Sequence, residues 1–150
     1  MKNNFAELYG QSEAIKARYQ AAKAQNLEAG MEQARNEHQV FEESIQAKGA
    51  AFAQVYHLYE DAMEVGNRYI DLSEIHQYRD EAALIASLRE YGVEAFTFSS
   101  GWSSAVSSAW AFVQNGCELA GMVEINSRNK AFADDEYEKC PAYLFKVREV

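Results

Sequence analysis

Apolar residues in the first half of the chain recur at steps of three and four, the spacing of one face of an α-helix. Ala, Glu, Gln, Lys and Arg, which favour helix, fill the positions between them, and no proline occurs before Pro141. We predict two or three helices, with breaks near Gln25 and Asn26 and at Gly49, although one helix that tolerates Gly49 is an alternative. The apolar positions are Phe5, Leu8, Ile15, Tyr19, Met31, Ala34, His38, Phe41, Ile45, Phe52, Val55, Tyr56, Tyr59 and Met63.

Residues 66–92 contain signals for the end of two helices and for the beginning of one. Gly66 and Asn67 are expected to end the last of these helices. Asp71, with Glu74 three residues later, matches the pattern of a capping box, so we predict that a new helix begins there. A further helix is predicted to run through residues 84–91 and to end at the following glycine.

Beyond residue 93 the apolar residues shift towards alternation, the pattern of a half-buried strand. Three segments are predicted strands: Glu94–Phe98, with Phe96 and Phe98 on one face, Leu119–Ile125 and Ala142–Val147. The first two flank a helix, and for this βαβ unit we expect a right-handed parallel crossover. The third strand is predicted to pair antiparallel with the second, after a polar loop over residues 126–139. The intervening helix has an apolar face of Trp102, Val106, Ala109, Trp110 and Val113.

These elements predict an α+β fold in which an N-terminal helical hairpin or bundle packs on a small β-α-β-β unit with a three-stranded mixed sheet. The periodicity changes near residue 78. We therefore divide the chain into a helical segment, 1–78, and an α-β-α-β-β segment, 79–150. With 150 residues the two segments can share one compact domain.

Charge and cysteine content narrow the functional classes. The chain has 14 Lys and Arg against 23 Asp and Glu, a net charge of −9, which argues against direct nucleic-acid binding and against an anionic membrane surface. The start of the sequence has no apolar leader, so we expect a cytoplasmic protein in which Cys117 and Cys140 are reduced thiols. Neither cysteine belongs to a CxxC pair, and we expect no metal or cofactor.

A serine and glycine turn between the first predicted strand and the next helix is the candidate ligand site. Its residues Ser99, Ser100, Gly101, Ser103 and Ser104 offer hydroxyl groups and a helix N-terminus, which could bind a phosphate or carboxylate. The alternative is structural, with Ser99 or Ser100 acting as the helix N-cap. The turn lacks the GxSxG pattern of serine hydrolases, and we assign no catalytic residue.

Each histidine has an acid four residues later, which on a helix favours an ion pair over a metal site. The pairs are His38 with Glu42, His57 with Asp61 and His76 with Asp80.

A second candidate surface combines tyrosines with acids, since tyrosine is favoured at protein interfaces and clustered carboxylates can imitate phosphates. A core role for the aromatic residues between positions 52 and 91 is the alternative. The candidate residues are Tyr56, Tyr59, Glu60, Asp61, Glu64, Asp134, Asp135 and Glu136.

The sequence therefore predicts a small, acidic, non-catalytic protein that binds and modulates a partner protein. The more specific hypothesis is an inhibitor that imitates nucleic acid at the surface of a nucleic-acid-handling enzyme. The rival class is a small-ligand or enzymatic module that binds an anion at the turn between Ser99 and Ser104. A homodimer formed through the apolar stripe of the helical segment is a further alternative.

Overall fold

A computed structural model of the chain describes residues 5–72, 80–100, 103–130 and 136–148, with the side chains of 128–130 excepted. The α+β class is confirmed, and the mixed sheet has four strands where the sequence predicted three. The elements are α1 (Phe5–Ala24), α2 (Glu28–Ala47), α3 (Ala50–Glu64), β1 (Ile70–Asp71), α4 (Glu81–Glu90), β2 (Ala95–Phe98), α5 (Ala105–Gln114), β3 (Cys117–Lys130) and β4 (Tyr137–Val147).

Two compact units divide the chain, one formed by Asn4–Gln54 and the other containing Val55–Val150. The division falls inside α3. The boundary near residue 78 lies outside the described residues, and it stays a prediction together with the single compact domain. No helix among the described residues is both long and apolar enough to cross a membrane.

In the first unit α1 and α2 form a hairpin, and both predicted helix breaks are confirmed. Asn26 has a φ of 54°, in the left-handed region that asparagine tolerates, and it reverses the chain after α1. Gly49 has a φ of 114°, which favours glycine, so α2 and α3 are separate helices. Apolar packing joins the first and last parts of this unit, where the Phe5 and Phe52 ring centroids are 5.3 Å apart.

The sheet of the second unit has the strand order β1-β2-β4-β3. β4 pairs antiparallel with both β2 and β3, so the predicted antiparallel pairing of the last two strands is confirmed. β2 and β3 consequently run parallel, but they are not neighbours, because β4 lies between them. β1 pairs parallel with β2 through two residues, and this strand was not predicted from the sequence.

Two further sequence predictions are wrong in this unit. Asp71 does not cap a helix, since it lies in β1 and the N–H of Leu72 donates to the Thr97 carbonyl at 2.9 Å. The cap of α4 is Asp80, whose carboxylate accepts the Ala83 N–H at 3.1 Å. In the predicted loop over 126–139, residues 126–130 and 137–139 are strand, because β3 and β4 continue pairing as far as Lys130 and Tyr137, and residues 131–135 lie outside the described residues.

A cluster of four phenylalanines fixes α5 on the sheet. Phe96 and Phe98 point to the same side of β2, as predicted, and each ring centroid lies 5.1 Å from that of Phe112 on α5. Phe145 on β4 completes the cluster at 5.4 Å from both Phe96 and Phe112. All four rings are almost fully buried, so this cluster is the centre of the core on this side of the sheet.

Asn67, which follows α3, is bound to β3 through its side chain. Its Nδ2 donates to the Asn126 carbonyl at 2.9 Å, and its Oδ1 accepts the Asn126 N–H at 2.8 Å. The amide therefore pairs with β3 as a neighbouring strand would. The Asn126 side chain adds a bond to the Val65 carbonyl at 2.7 Å, so the end of α3 is held against the sheet edge.

Replacing Asn67 tests this contact. In Asn67→Ala the two bonds are lost and the Asn126 backbone groups lose their partner, so we expect the free energy of unfolding to fall by about 1–3 kcal/mol. Urea titrations followed by tryptophan fluorescence report on this unit, since Trp102 and Trp110 both belong to it. The exposed control Gln114→Ala should stay within about 0.5 kcal/mol of the wild type. Equal stability of Asn67→Ala and the wild type would contradict the assignment.

Candidate functional site

The serine turn that the sequence singled out leads from β2 to α5. Ser99 and Ser100 are half-buried, Ser103 and Ser104 are exposed, and Gly101 lies outside the described residues. The N-cap of α5 is Ser104, and its side chain makes no capping hydrogen bond. The expectation that Ser99 or Ser100 caps this helix is therefore wrong, because the helix begins later than the serines nearest the strand.

The electrostatic surroundings of the turn are negative. Asp71 accepts hydrogen bonds from Thr97 Oγ1 at 2.8 Å and from Ser99 Oγ at 3.4 Å. Burial raises the pKa of the nearby Cys140 thiol, a hydrogen bond from Ser99 lowers it, and the charges of Asp71 and Glu124 raise it further. Carboxylates this close repel an anion. The anion site at this turn stays a prediction, and Asp71 weighs against it.

The predicted acidic and tyrosine-rich surface is only partly a surface. Tyr56 is fully buried, and its hydroxyl donates to Glu60 Oε2 at 3.2 Å, so this tyrosine contributes to the core. The imitation of nucleic acid by the remaining residues stays a prediction. Tyr59, Glu60 and Asp61 are half-buried, Glu64 and Glu136 are exposed, and Asp134 and Asp135 lie outside the described residues.

The two described histidines lie beside an acid and beside an aromatic ring. His38 Nε2 lies 4.0 Å from Glu42 Oε1, consistent with the predicted ion pair, and the His57 ring lies beside that of Tyr56. His76 is outside the described residues. Within the part of the chain that is described, no three His, Cys, Asp or Glu residues are placed to hold a metal ion.

The outer side of α5 carries large apolar residues that nothing else in the described chain covers. Val106 is 80% exposed, Trp110 62% and Val113 42%. The opposite pole of the helix is buried, with Phe112 in the phenylalanine cluster and Ser108 donating to Glu81 Oε1 at 2.9 Å. The face predicted from the sequence is therefore not the face that the core uses: Val106, Trp110 and Val113 belong to the prediction and are exposed, whereas the buried Phe112 does not belong to it.

Exposed apolar residues also occur on the sheet, on the side that α5 occupies. Leu119 and Met122 on β3 pair with Phe145 and Tyr143 on β4, and Tyr143 pairs with Phe98 on β2. Directly paired residues point to the same side of a sheet, so all of these side chains share the side that α5 occupies. Leu119, Met122 and Tyr143 are nevertheless 51%, 64% and 44% exposed. We call the combined surface the α5 patch: Val106, Trp110, Val113, Leu119, Met122 and Tyr143.

The α5 patch contains six of the eight large apolar side chains that are exposed among the described residues. The apolar face of α5 was predicted from the sequence, but its exposure was not. One signal was available, because α5 contains no charged residue, whereas α1 to α4 all carry charges. Periodicity cannot distinguish an apolar face that meets the core from one that meets a partner.

The second unit matches a known protein family. The model of the family described as Domain of unknown function (DUF7698) matches residues 54–147. The chain belongs to this family. The matched residues include the four strands and the whole α5 patch, and they leave out the helical hairpin of α1 and α2. No curated protein and no solved structure matches the chain.

The two cysteines are free thiols that should differ in reactivity. Burial raises the pKa of the Cys117 thiol to about 11, with Arg89 acting in the opposite direction, whereas Cys140 is more accessible. At about pH 8 the Cys117 thiolate is therefore about a hundredfold scarcer than that of a thiol with the ordinary pKa of 9.0.

We expect iodoacetamide to alkylate Cys140 before Cys117, and both rates to rise with pH because the thiolate is the nucleophile. Peptide mass spectrometry over time measures each rate, and Cys140→Ser isolates the slower thiol. Alkylation of Cys117 as fast as that of Cys140 would contradict the burial that the structure assigns to it.

Proposed function

We propose that this chain is a non-catalytic protein-interaction module whose docking surface is the α5 patch, and that the occupant is the α5 patch of a second copy. The observation that carries the proposal is the concentration of exposed apolar side chains on one side of the sheet. Clusters of large exposed apolar side chains are uncommon on monomeric soluble proteins, and they are typical of interaction sites.

The absence of charge on the α5 patch is compatible with a second copy as the occupant. Two chains that each carry a net charge of −9 repel one another, and an uncharged contact surface adds nothing to that repulsion. α5 is uncharged along its whole length, and the three sheet residues of the patch are uncharged as well. A basic partner would be recognised through carboxylates, which the α5 patch does not offer.

The spacing on α5 suits pairing of the helix with itself. Val106, Trp110 and Val113 are four and three residues apart, the spacing of the seam between two packed helices. The large Trp110 lies between two valines, so the sequence of small, large and small side chains is the same when the helix is read from either end. Antiparallel pairing about a twofold axis would match valine with valine, and the sheet residues of the patch would lie beneath the pair.

Sedimentation equilibrium of the full chain over a wide concentration range tests the proposal. We expect the mass to rise from 16.9 kDa towards twice that value. Trp110→Glu should weaken the dimer by at least about 2 kcal/mol, roughly thirtyfold in Kd, because an aromatic residue at the centre of an interface is a typical hot spot. A reducing buffer suits the cytoplasmic location that we propose and keeps both cysteines as thiols.

A matched pair of variants separates the α5 patch from an exposed apolar position on α2. Val106→Glu should weaken the dimer strongly, whereas Val40→Glu, at a position on α2 that is 65% exposed, should leave it unchanged. Added salt should strengthen the dimer, since it screens the repulsion between two acidic chains. A monomer at every concentration, or a larger effect of Val40→Glu than of Val106→Glu, would overturn the proposal.

A further inference from the structure

A cleft between α1 and α2 has a chemistry unlike the rest of this acidic chain. Its volume is about 290 Å³, at the lower end of the range for ligand pockets. Three of the residues that line it, Lys16, Arg35 and His38, are basic or can become cationic, and no lining residue is acidic. Both helices contribute, so folding of the hairpin brings these groups together from distant positions in the sequence.

Tyr19 organises one wall of the cleft. The guanidinium carbon of Arg35, on α2, lies 5.6 Å from the centre of the Tyr19 ring, on α1, in a cation–π contact. This contact holds a planar donor group beside an aromatic ring. An arginine held in this way is suited to bind a carboxylate or phosphate through paired N–H donors.

A ligand would compete with the existing contacts of the other two side chains. Lys16 Nζ lies 3.4 Å from Glu13 Oε1, and His38 Nε2 lies 4.0 Å from Glu42 Oε1. These pairs are on the surface and within single helices, where such contacts contribute little. A bound anion that bridges both helices can therefore compete for the same cations.

The floor of the cleft is apolar. Ile15 and Ala34, which line it, are 7% and 2% exposed. Together with the Tyr19 ring they form a surface that binds a hydrocarbon or aromatic group, while the cations lie around it. A ligand with a charged head and an apolar body would use both parts.

We propose that the cleft between α1 and α2 binds a small organic anion, with a carboxylate or phosphate head held by Arg35 and Lys16 and an apolar body lying on Ile15, Ala34 and Tyr19. The site lies outside the residues that match the family, so it is a property of the helical hairpin of this chain. It does not depend on the α5 patch, and either proposal can fail without the other.

Titration of the full-length chain with phenyl phosphate, followed by ¹H–¹⁵N NMR, tests the site. We expect saturable shifts that are centred on residues 15–20 and 34–38. Benzoate distinguishes a carboxylate head from a phosphate head. Benzyl alcohol lacks the charge and inorganic phosphate lacks the apolar body, so each should bind at least about tenfold more weakly than the tighter aromatic anion. Inorganic phosphate that binds as tightly as phenyl phosphate would overturn the assignment of an organic ligand.

Charge-removing variants distinguish a defined site from diffuse attraction. Arg35→Gln and Lys16→Gln should each weaken binding about tenfold. Lys23→Gln removes the same charge from an exposed position of α1 outside the cleft, and it should leave the affinity unchanged. Equal weakening by Lys23→Gln and Lys16→Gln, or the absence of saturable shifts with both aromatic anions, would overturn the proposal.

Discussion

The packing of Phe112 against the sheet fixes the orientation of α5. Its ring contacts Phe96, Phe98 and Phe145, and this aromatic contact fixes the rotation of the helix about its own axis. With Phe112 directed inward, the helical spacing turns Trp110 away from the core. The exposure of the α5 patch is therefore a consequence of how the core is built. A different rotation of α5 would bury the tryptophan only by releasing the phenylalanine.

The sheet adds a second constraint, because β4 separates β2 from β3. α5 joins two parallel strands that are one strand apart, and it covers the sheet around the phenylalanine cluster without covering the adjoining residues of β3 and β4. A helix occupies about 10 Å of width, and α4, which packs against α5 and β4, also leaves Leu119, Met122 and Tyr143 exposed. The exposed apolar residues of β3 and β4 and the exposed side of α5 arise from the same geometry. A second copy would cover both.

Local signals in the sequence predicted the features that depend on local physics. The turn at Asn26 and the break at Gly49 follow from backbone conformations that few residues tolerate, and alternation placed Phe96 and Phe98 on one face. Features that depend on distant partners were missed. β1 is too short to show any period and exists because β2 pairs with it, and that pairing overrides the capping pattern at Asp71. The cleft beside Arg35 likewise forms only when α1 and α2 meet.

The most direct test of the account is the fluorescence of Trp110 as the chain is concentrated. In a Trp102→Phe background Trp110 is the only tryptophan, and in the monomer it is 62% exposed. Burial of its ring between two copies should shift the emission to shorter wavelength over the same concentration range in which the mass doubles. A doubled mass with the emission of an exposed tryptophan, or no change in either quantity, would contradict the claim that the α5 patch joins two copies.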